Sequence, residues 1–186
     1  MPADTTKRRI KTKVLEFLKT KSIDSIKATD ITRALGISRG TFYRHYDSVY
    51  SVLQEIEDSF FEEYSTLASD FLNYRLSRQY LNIPHPALMK DLEYLQKHAD
   101  LLLTLFGPNG DIRFQARCSQ LTGEYMLTKR EQHNLADSKS KLVRTYLSRG
   151  LMYMTIEWLK GDSDISKEEF AKTIYKMSFG MHERAL

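Results

Sequence analysis

An all-α fold is predicted: an N-terminal three-helix head carrying a helix-turn-helix, joined by a long helix to a helical body. Three observations predict it. The 186 residues include only four prolines and eight glycines, so few positions break a helix. Apolar residues recur at helical spacing in one segment after another. Charge is also divided along the chain. Residues 1–46 hold eleven Lys or Arg against four Asp or Glu, whereas residues 47–186 hold seventeen against twenty. A basic head on a slightly acidic body points to one polyanion-binding end.

Met1 to Thr5 reads as a frayed arm, and a helix runs from Thr6 to about Thr20. Ile10, Val14, Phe17 and Leu18 form its inward stripe. Lys7, Arg8, Arg9, Lys11 and Lys13 crowd its first turns. Cations there oppose the helix dipole, so they are not placed for helix stability. Contact with a phosphate backbone would offset that cost; a merely solvated basic face is the plainer alternative. Ser22 to Lys27 links to a second helix, in which Ala28, Ile31 and Leu35 share one face. Gly36 suits its stop, Ile37 plugs the turn, and Ser38 can cap a third helix. Phe42 and Tyr46 lie one turn apart and face inward. Arg39, Gly40, Thr41, Tyr43 and Arg44 are left largely exposed. This is a helix-turn-helix whose second helix would enter a DNA major groove. In its first turn Arg39 can pair with guanine and Thr41 can meet a thymine methyl. Gly40 lets the backbone approach closely, and Thr29 is placed to hydrogen-bond a phosphate. Residues 1–47 are therefore read as the DNA-binding domain and 48–186 as a regulatory and dimerisation domain.

The segment ISRGTFYRHY, residues 37–46, followed by Asp47, resembles the recognition segment of the TetR family of bacterial transcription regulators. Lys7 to Leu18, Ile31 to Tyr46 and the long helix beginning at Asp47 match that family in order. RGTFYRHY comes closest to the subgroup that includes the dihydroxyacetone-kinase regulators. The resemblance implies that Tyr43 and His45 touch phosphates, with Arg44 serving either role. It also implies departures. Where the family commonly caps the second helix with Ser or Thr, this chain has Lys27, which has no acceptor. Either Ser25 caps one turn early or the helix start is weaker. Val49 stands where the family usually has a phosphate-reaching Lys. The expected DNA contacts are thus Arg39, Gly40, Thr41, Tyr43, Arg44, His45, Thr29, Lys7, Arg8 and Lys11.

Asp47 can cap the long helix, in which Val49, Val52, Leu53, Ile56, Phe60, Tyr64, Leu67 and Phe71 continue one apolar stripe. Pro84 and Pro86 mark a boundary before a helix carrying Leu88, Leu92 and Leu95. A short apolar segment from Asp100 ends in the turn FGPNGD, and Asp111 starts another helix. Lys129 to Asp137 reads as its fraying end. Leu142 to Leu159 is a firmer helix, and Ser166 with Glu169 has capping-box spacing for the last one.

A helix-turn-helix monomer covers little DNA, and two-fold dimers read paired half-sites. The candidate dimer face is Leu147, Leu151, Met154, Trp158, Phe170, Ile174 and Met177. The C-terminal segment resembles the part of TetR-like proteins that forms a four-helix interface; Trp158 is equally readable as core. Phe60, Tyr64, Tyr94, Phe106, Phe114, Tyr125 and Tyr153 could line an effector pocket or fill the interior. An effector, or a partner protein docking on the body, would act by changing the spacing of the two heads.

The leading expectation is a cytoplasmic homodimeric regulator, a repressor on a palindromic double-stranded DNA operator; the alternative is a protein-binding adaptor with a vestigial head. The histidines are scattered, so no metal is implied. No cofactor loop or catalytic grouping is evident, and enzyme activity is not expected. No apolar run approaches the ~20 residues of a membrane span, and the N-terminus does not read as a signal peptide. Cys118, the single cysteine, reads as a small buried hydrophobe.

Overall fold

The computed structural model describes residues 2–72, 78–125 and 138–184, without the side chains of 2–4, 68–72, 124–125, 138–141, 143–144 and 178–184. The described residues form α-helices and no strand, as the sequence predicts. The helices are α1 (Pro2–Leu18), α2 (Ala28–Leu35), α3 (Arg39–Tyr43), α4 (Val49–Leu72), α5 (Pro86–Lys97), α6 (Ala99–Leu105), α7 (Ile112–Tyr125), α8 (Ser138–Leu159) and α9 (Lys167–Arg184). Single 3-10 turns occupy Ile23–Ser25 and Arg78–Leu81. Helix α1 begins at Pro2 rather than Thr6, since proline at the first helical position gives up no hydrogen bond. Residues 129–137, and the side chains of Phe71 and Tyr125, lie outside the described residues. No helix among the described residues is long and apolar enough to cross a membrane.

Packing divides the chain into two compact units, Met1–Glu63 with Asp100–Phe114, and Tyr64–Ala99 with Gln115–Leu186. The sequence reading puts the cut after Asp47; packing puts it within α4, after Glu63. The reason is apolar. Phe60 and Phe61 of α4 lie against Phe114, with ring centroids 5.6 and 5.1 Å apart, and Phe106 is 6.0 Å from the same ring. Leu102 and Leu105 of α6 are buried in this unit. The turn after α6 closes only on glycine, because a Cβ at Gly110 would lie 1.9 Å from the Leu105 carbonyl oxygen.

The second unit has its own core. Leu88 and Leu92 of α5 cluster with Trp158 of α8 and with Phe170, Ala171, Ile174 and Tyr175 of α9. The Trp158 ring stacks on Phe170 at 4.6 Å, and its indole N–H donates to the Ile165 carbonyl at 3.0 Å. Helix α5 opens at Pro86, with His85 Nδ1 accepting the Ala87 N–H at 3.1 Å. Helix α9 opens on Ser166, whose hydroxyl accepts the Glu169 N–H at 3.2 Å.

Candidate nucleic-acid interface

The apolar residues of the head fix three helices around one core. Ile10, Val14 and Leu18 of α1, Ile31 of α2, and Phe42 and Tyr46 in and after α3 are buried with Val49, Val52 and Leu53 of α4. Burying a side chain such as Phe42 is worth ~1.5–3 kcal/mol, so α3, five residues long, is held by its core contacts more than by its own hydrogen bonds. Val49 is buried in this core.

The turn between α2 and α3 is satisfied by hydrogen bonds at both ends. Gly36 adopts φ 64°, ψ 33°, the left-handed conformation glycine takes without strain. The Ile37 N–H reaches the Thr32 carbonyl at 3.1 Å and the Gly36 N–H the Arg33 carbonyl at 3.4 Å, the paired bonds of a Schellman stop. Arg9 of α1 donates to the Leu35 carbonyl at 3.0 Å, taking up another helix-end acceptor. Ser38 then caps α3 by accepting the Thr41 N–H at 3.0 Å. The Thr41 hydroxyl lies 2.9 Å from the Ser38 hydroxyl, so it is turned back into the cap.

Helix α2 starts without a side-chain cap at Lys27. Asp30 supplies the missing partner, its carboxylate accepting the Lys27 backbone N–H at 3.1 Å and pairing with Lys21 at 3.2 Å. The bond from Lys27 first, and that from Lys21 second, hold the Asp30 carboxyl below its usual range. Ser25 does not cap early; its hydroxyl lies 3.2 Å from that of Ser22. Helix α4 is capped by Ser48, which accepts the Ser51 N–H at 3.1 Å while Ser51 accepts the Ser48 N–H at 3.1 Å. The cap expected at Asp47 is therefore one residue later, and Asp47 is exposed.

The exposed surface of α3 carries the residues the sequence singles out. Arg39, Gly40, Tyr43 and Arg44 are exposed, while Thr41, His45 and Thr29 are half-buried. The Arg39 guanidinium sits 6.0 Å from the Tyr43 ring. A Cβ at Gly40 would meet only Ser38 Oγ, at 3.7 Å.

Most lysines of the head are held in ion pairs. Lys13 pairs with Glu16, Lys19 with Asp100 and Lys21 with Asp30. Lys7 and Lys11 both pair with Glu55, at 3.0 and 2.9 Å. Arg8, Arg33, Arg39 and Arg44 make no ion pair among the described residues. Two further links hold later sequence to this unit: Tyr50 donates to Asp24, and the Arg113 guanidinium lies 5.9 Å from the Tyr50 ring.

In the second unit most of the residues nominated for the dimer face lie in the protomer's own interior. Trp158, Phe170 and Ile174 are buried in the protomer's own core, with Leu151 and Met154 packed against it. Leu147 is half-buried, and only Met177 of the set is exposed. The apolar surface of α8 lies instead on Leu142, Tyr146 and Tyr153, exposed by 72 %, 77 % and 50 %. The nominated pocket residues also part company. Phe60, Phe106 and Phe114 pack together in the first unit. Tyr64 and Tyr94 are paired in the second at 5.6 Å. Tyr153 faces solvent, and the Tyr125 side chain is outside the described residues. Cys118 is half-buried rather than fully enclosed.

A family model for the TetR-type transcriptional regulator C-terminal region matches residues 82–180. No curated protein matches the sequence. Among solved structures, a TetR transcriptional regulator from Streptococcus agalactiae 2603V superposes with a TM-score of 0.63 at 17 % identity, covering 95 % of each chain. The dihydroxyacetone kinase operon activator DhaS gives 0.50 at 16 % identity, covering 97 % of this chain and 95 % of its own. At such identities these likenesses concern the fold.

Proposed function

The chain belongs to the TetR family of transcription regulators, and on that premise we propose that it binds a palindromic DNA operator as a homodimer and acts as a repressor. One observation carries the reading. The recognition helix is capped and buried on one side, and on the other it presents Arg39 and Arg44 with no carboxylate partner among the described residues, beside Gly40, Thr41 and Tyr43. Unneutralised arginines at a helix made to fit the major groove suit guanine edges and phosphates. The Thr41 hydroxyl is engaged by Ser38, so its methyl is the part offered to a thymine. Arg8 supplies backbone contact from α1. An effector or partner protein acting on the second unit would set the spacing of the two heads.

The exposed stripe of Leu142, Tyr146 and Tyr153 on α8, with Met177 on α9, supports the dimer. Positions 142, 146 and 153 fall on one helix face, since steps of four and seven residues return to nearly the same direction. Exposed aromatic residues in such a stripe are what a two-fold interface would bury.

Mobility shift on the DNA upstream of its own gene tests the reading. No shift there, and none on a random duplex pool, overturns it. Arg39→Ala is expected to lose ~1–3 kcal/mol on the operator with little change on random DNA. An equal loss on both would make Arg39 a phosphate contact. Because DhaS is named an operon activator, transcription in vitro with and without the protein decides the sign; stimulation overturns repression.

A further inference from the structure

Glu55 lies on α4 with each carboxylate oxygen taken by a lysine of α1. Lys7 Nζ is 3.0 Å from Oε2 and Lys11 Nζ is 2.9 Å from Oε1. The spacing is what one carboxylate needs to hold two cations a single helical turn apart. Lys7 also lies 5.2 Å above the Tyr46 ring. The buried Tyr46 hydroxyl sits beside the carboxylate without hydrogen-bond geometry, and burial, then the Glu55 charge, holds its proton on well above the usual phenol range. The three charged side chains keep 39 %, 26 % and 36 % of their surface. Hydrated pairs of this kind add little to folding, so their main effect is on the field outside. Burial raises the Glu55 carboxyl, but hydrogen bonds from Lys11 and Lys7 outweigh it and keep the group below the usual carboxylate range. It is an anion at neutral pH.

We propose that Glu55 is an internal anion that competes with DNA phosphates for Lys7 and Lys11 and so sets the level of sequence-independent binding. The inference rests on the DNA-binding reading above. Each cation that neutralises a phosphate releases counterions and steepens the salt dependence by ~0.9 units. A lysine held by Glu55 must first leave it, so this part of α1 contributes less than its charge count suggests. Arg8, Arg39 and Arg44 face no such competitor among the described residues. Glu55 is thus a positioning residue: it acts through the two lysines and touches no DNA.

The test is fluorescence anisotropy of the full chain on a short random-sequence duplex across a salt series. Glu55→Gln is expected to steepen the salt slope by ~1–2 units and to tighten binding several-fold at low salt. The triple variant Lys7→Gln/Lys11→Gln/Glu55→Gln should return the slope to within about half a unit of wild type, a response that loss of a purely structural bridge would not give. An unchanged slope in a folded Glu55→Gln protein overturns the proposal. Should that variant fail to fold, Lys11→Gln alone decides. An unchanged slope supports masking, and a slope shallower by ~1 unit shows Lys11 already on phosphate and overturns it. If the wild-type chain binds no duplex at all, the DNA-binding reading falls and this proposal with it; binding with the wrong slopes overturns this proposal alone.

Discussion

Gly40 separates what the fold needs from what the interface needs. Its backbone is helical and a Cβ there would make only ordinary contact with Ser38 Oγ. Glycine in a helix costs ~0.5–1 kcal/mol relative to alanine, so Gly40→Ala should leave the melting temperature equal or higher. The same methyl stands on the exposed face of the recognition helix, and DNA affinity should fall. Thermal unfolding and anisotropy on one preparation check both halves; a less stable variant that binds as well as wild type would mean that glycine serves the fold. At this scale much was legible in the sequence. Gly36, Ser38, Phe42 and Tyr46 each act on neighbours within a turn or two, where spacing is informative. Asp30 is legible in principle, since a carboxylate three residues past Lys27 stands at capping-box spacing. Glu55 was not legible, because its partner Lys7 is 48 positions away and nothing local marks that pairing. Asp47 and Ser48 are both favoured capping types, and residue type does not choose between adjacent ones.

Helix α8 carries apolar residues on two faces, and the element's role turns on which face is internal. Sequence spacing brings Leu147, Leu151, Met154 and Trp158 together, but it cannot say whether a helix turns that face to its own core or to a second copy. The structure gives that face to Leu88, Leu92 and Phe170 and leaves Leu142, Tyr146 and Tyr153 to solvent. The two faces should therefore respond differently to charge. Tyr146→Glu with Tyr153→Glu is expected to yield a folded monomer. Trp158→Glu should unfold the protein, since an unpaired charge would be buried beside Phe170 at a cost of several kcal/mol. Sedimentation velocity and circular dichroism on the two variants distinguish these outcomes. A dimer that survives the double tyrosine substitution would place the interface elsewhere.

At the scale of the whole molecule, two groups of the second unit, His85 and Asp91, make stability depend on pH in opposite directions. His85 caps α5 through a neutral ring nitrogen, and burial lowers its pKa. A depressed folded pKa means that this stabilisation is present above ~6.5, the ordinary value, and is lost as pH falls through the folded value. Asp91 is pushed up to about 6 by burial, against a hydrogen bond from Tyr64. For a raised carboxyl the sign reverses: its stabilisation is complete below ~4 and is lost as pH rises through about 6. Urea unfolding across pH 4–8 reads both. Asp91→Asn should stabilise above pH 6 by a few kcal/mol, on the order of 2–3 from the size of the shift, and far less near pH 4. His85→Asn keeps an acceptor at every pH and should flatten the decline in acid. A gain from Asp91→Asn that is equal at both ends of the range would remove the carboxyl from this account. The broad architecture was legible at this scale, since helical periodicity extends along most of the chain. The membership of the two units was not, because Phe114 joins Phe60 and Phe61 across a separation no periodicity reports.

The stop at Gly36 and the cap at Ser38 fasten the corner between α2 and α3 from both sides. Backbone bonds from Ile37 and Gly36 lock one side, the Ser38 hydroxyl locks the other, and Arg9 braces the end of α2 from outside. If the protein reads paired half-sites as proposed, tolerance for an inserted or deleted base pair would come from the chain beyond Tyr46, with the corner serving as a fixed gauge against which the rest is adjusted.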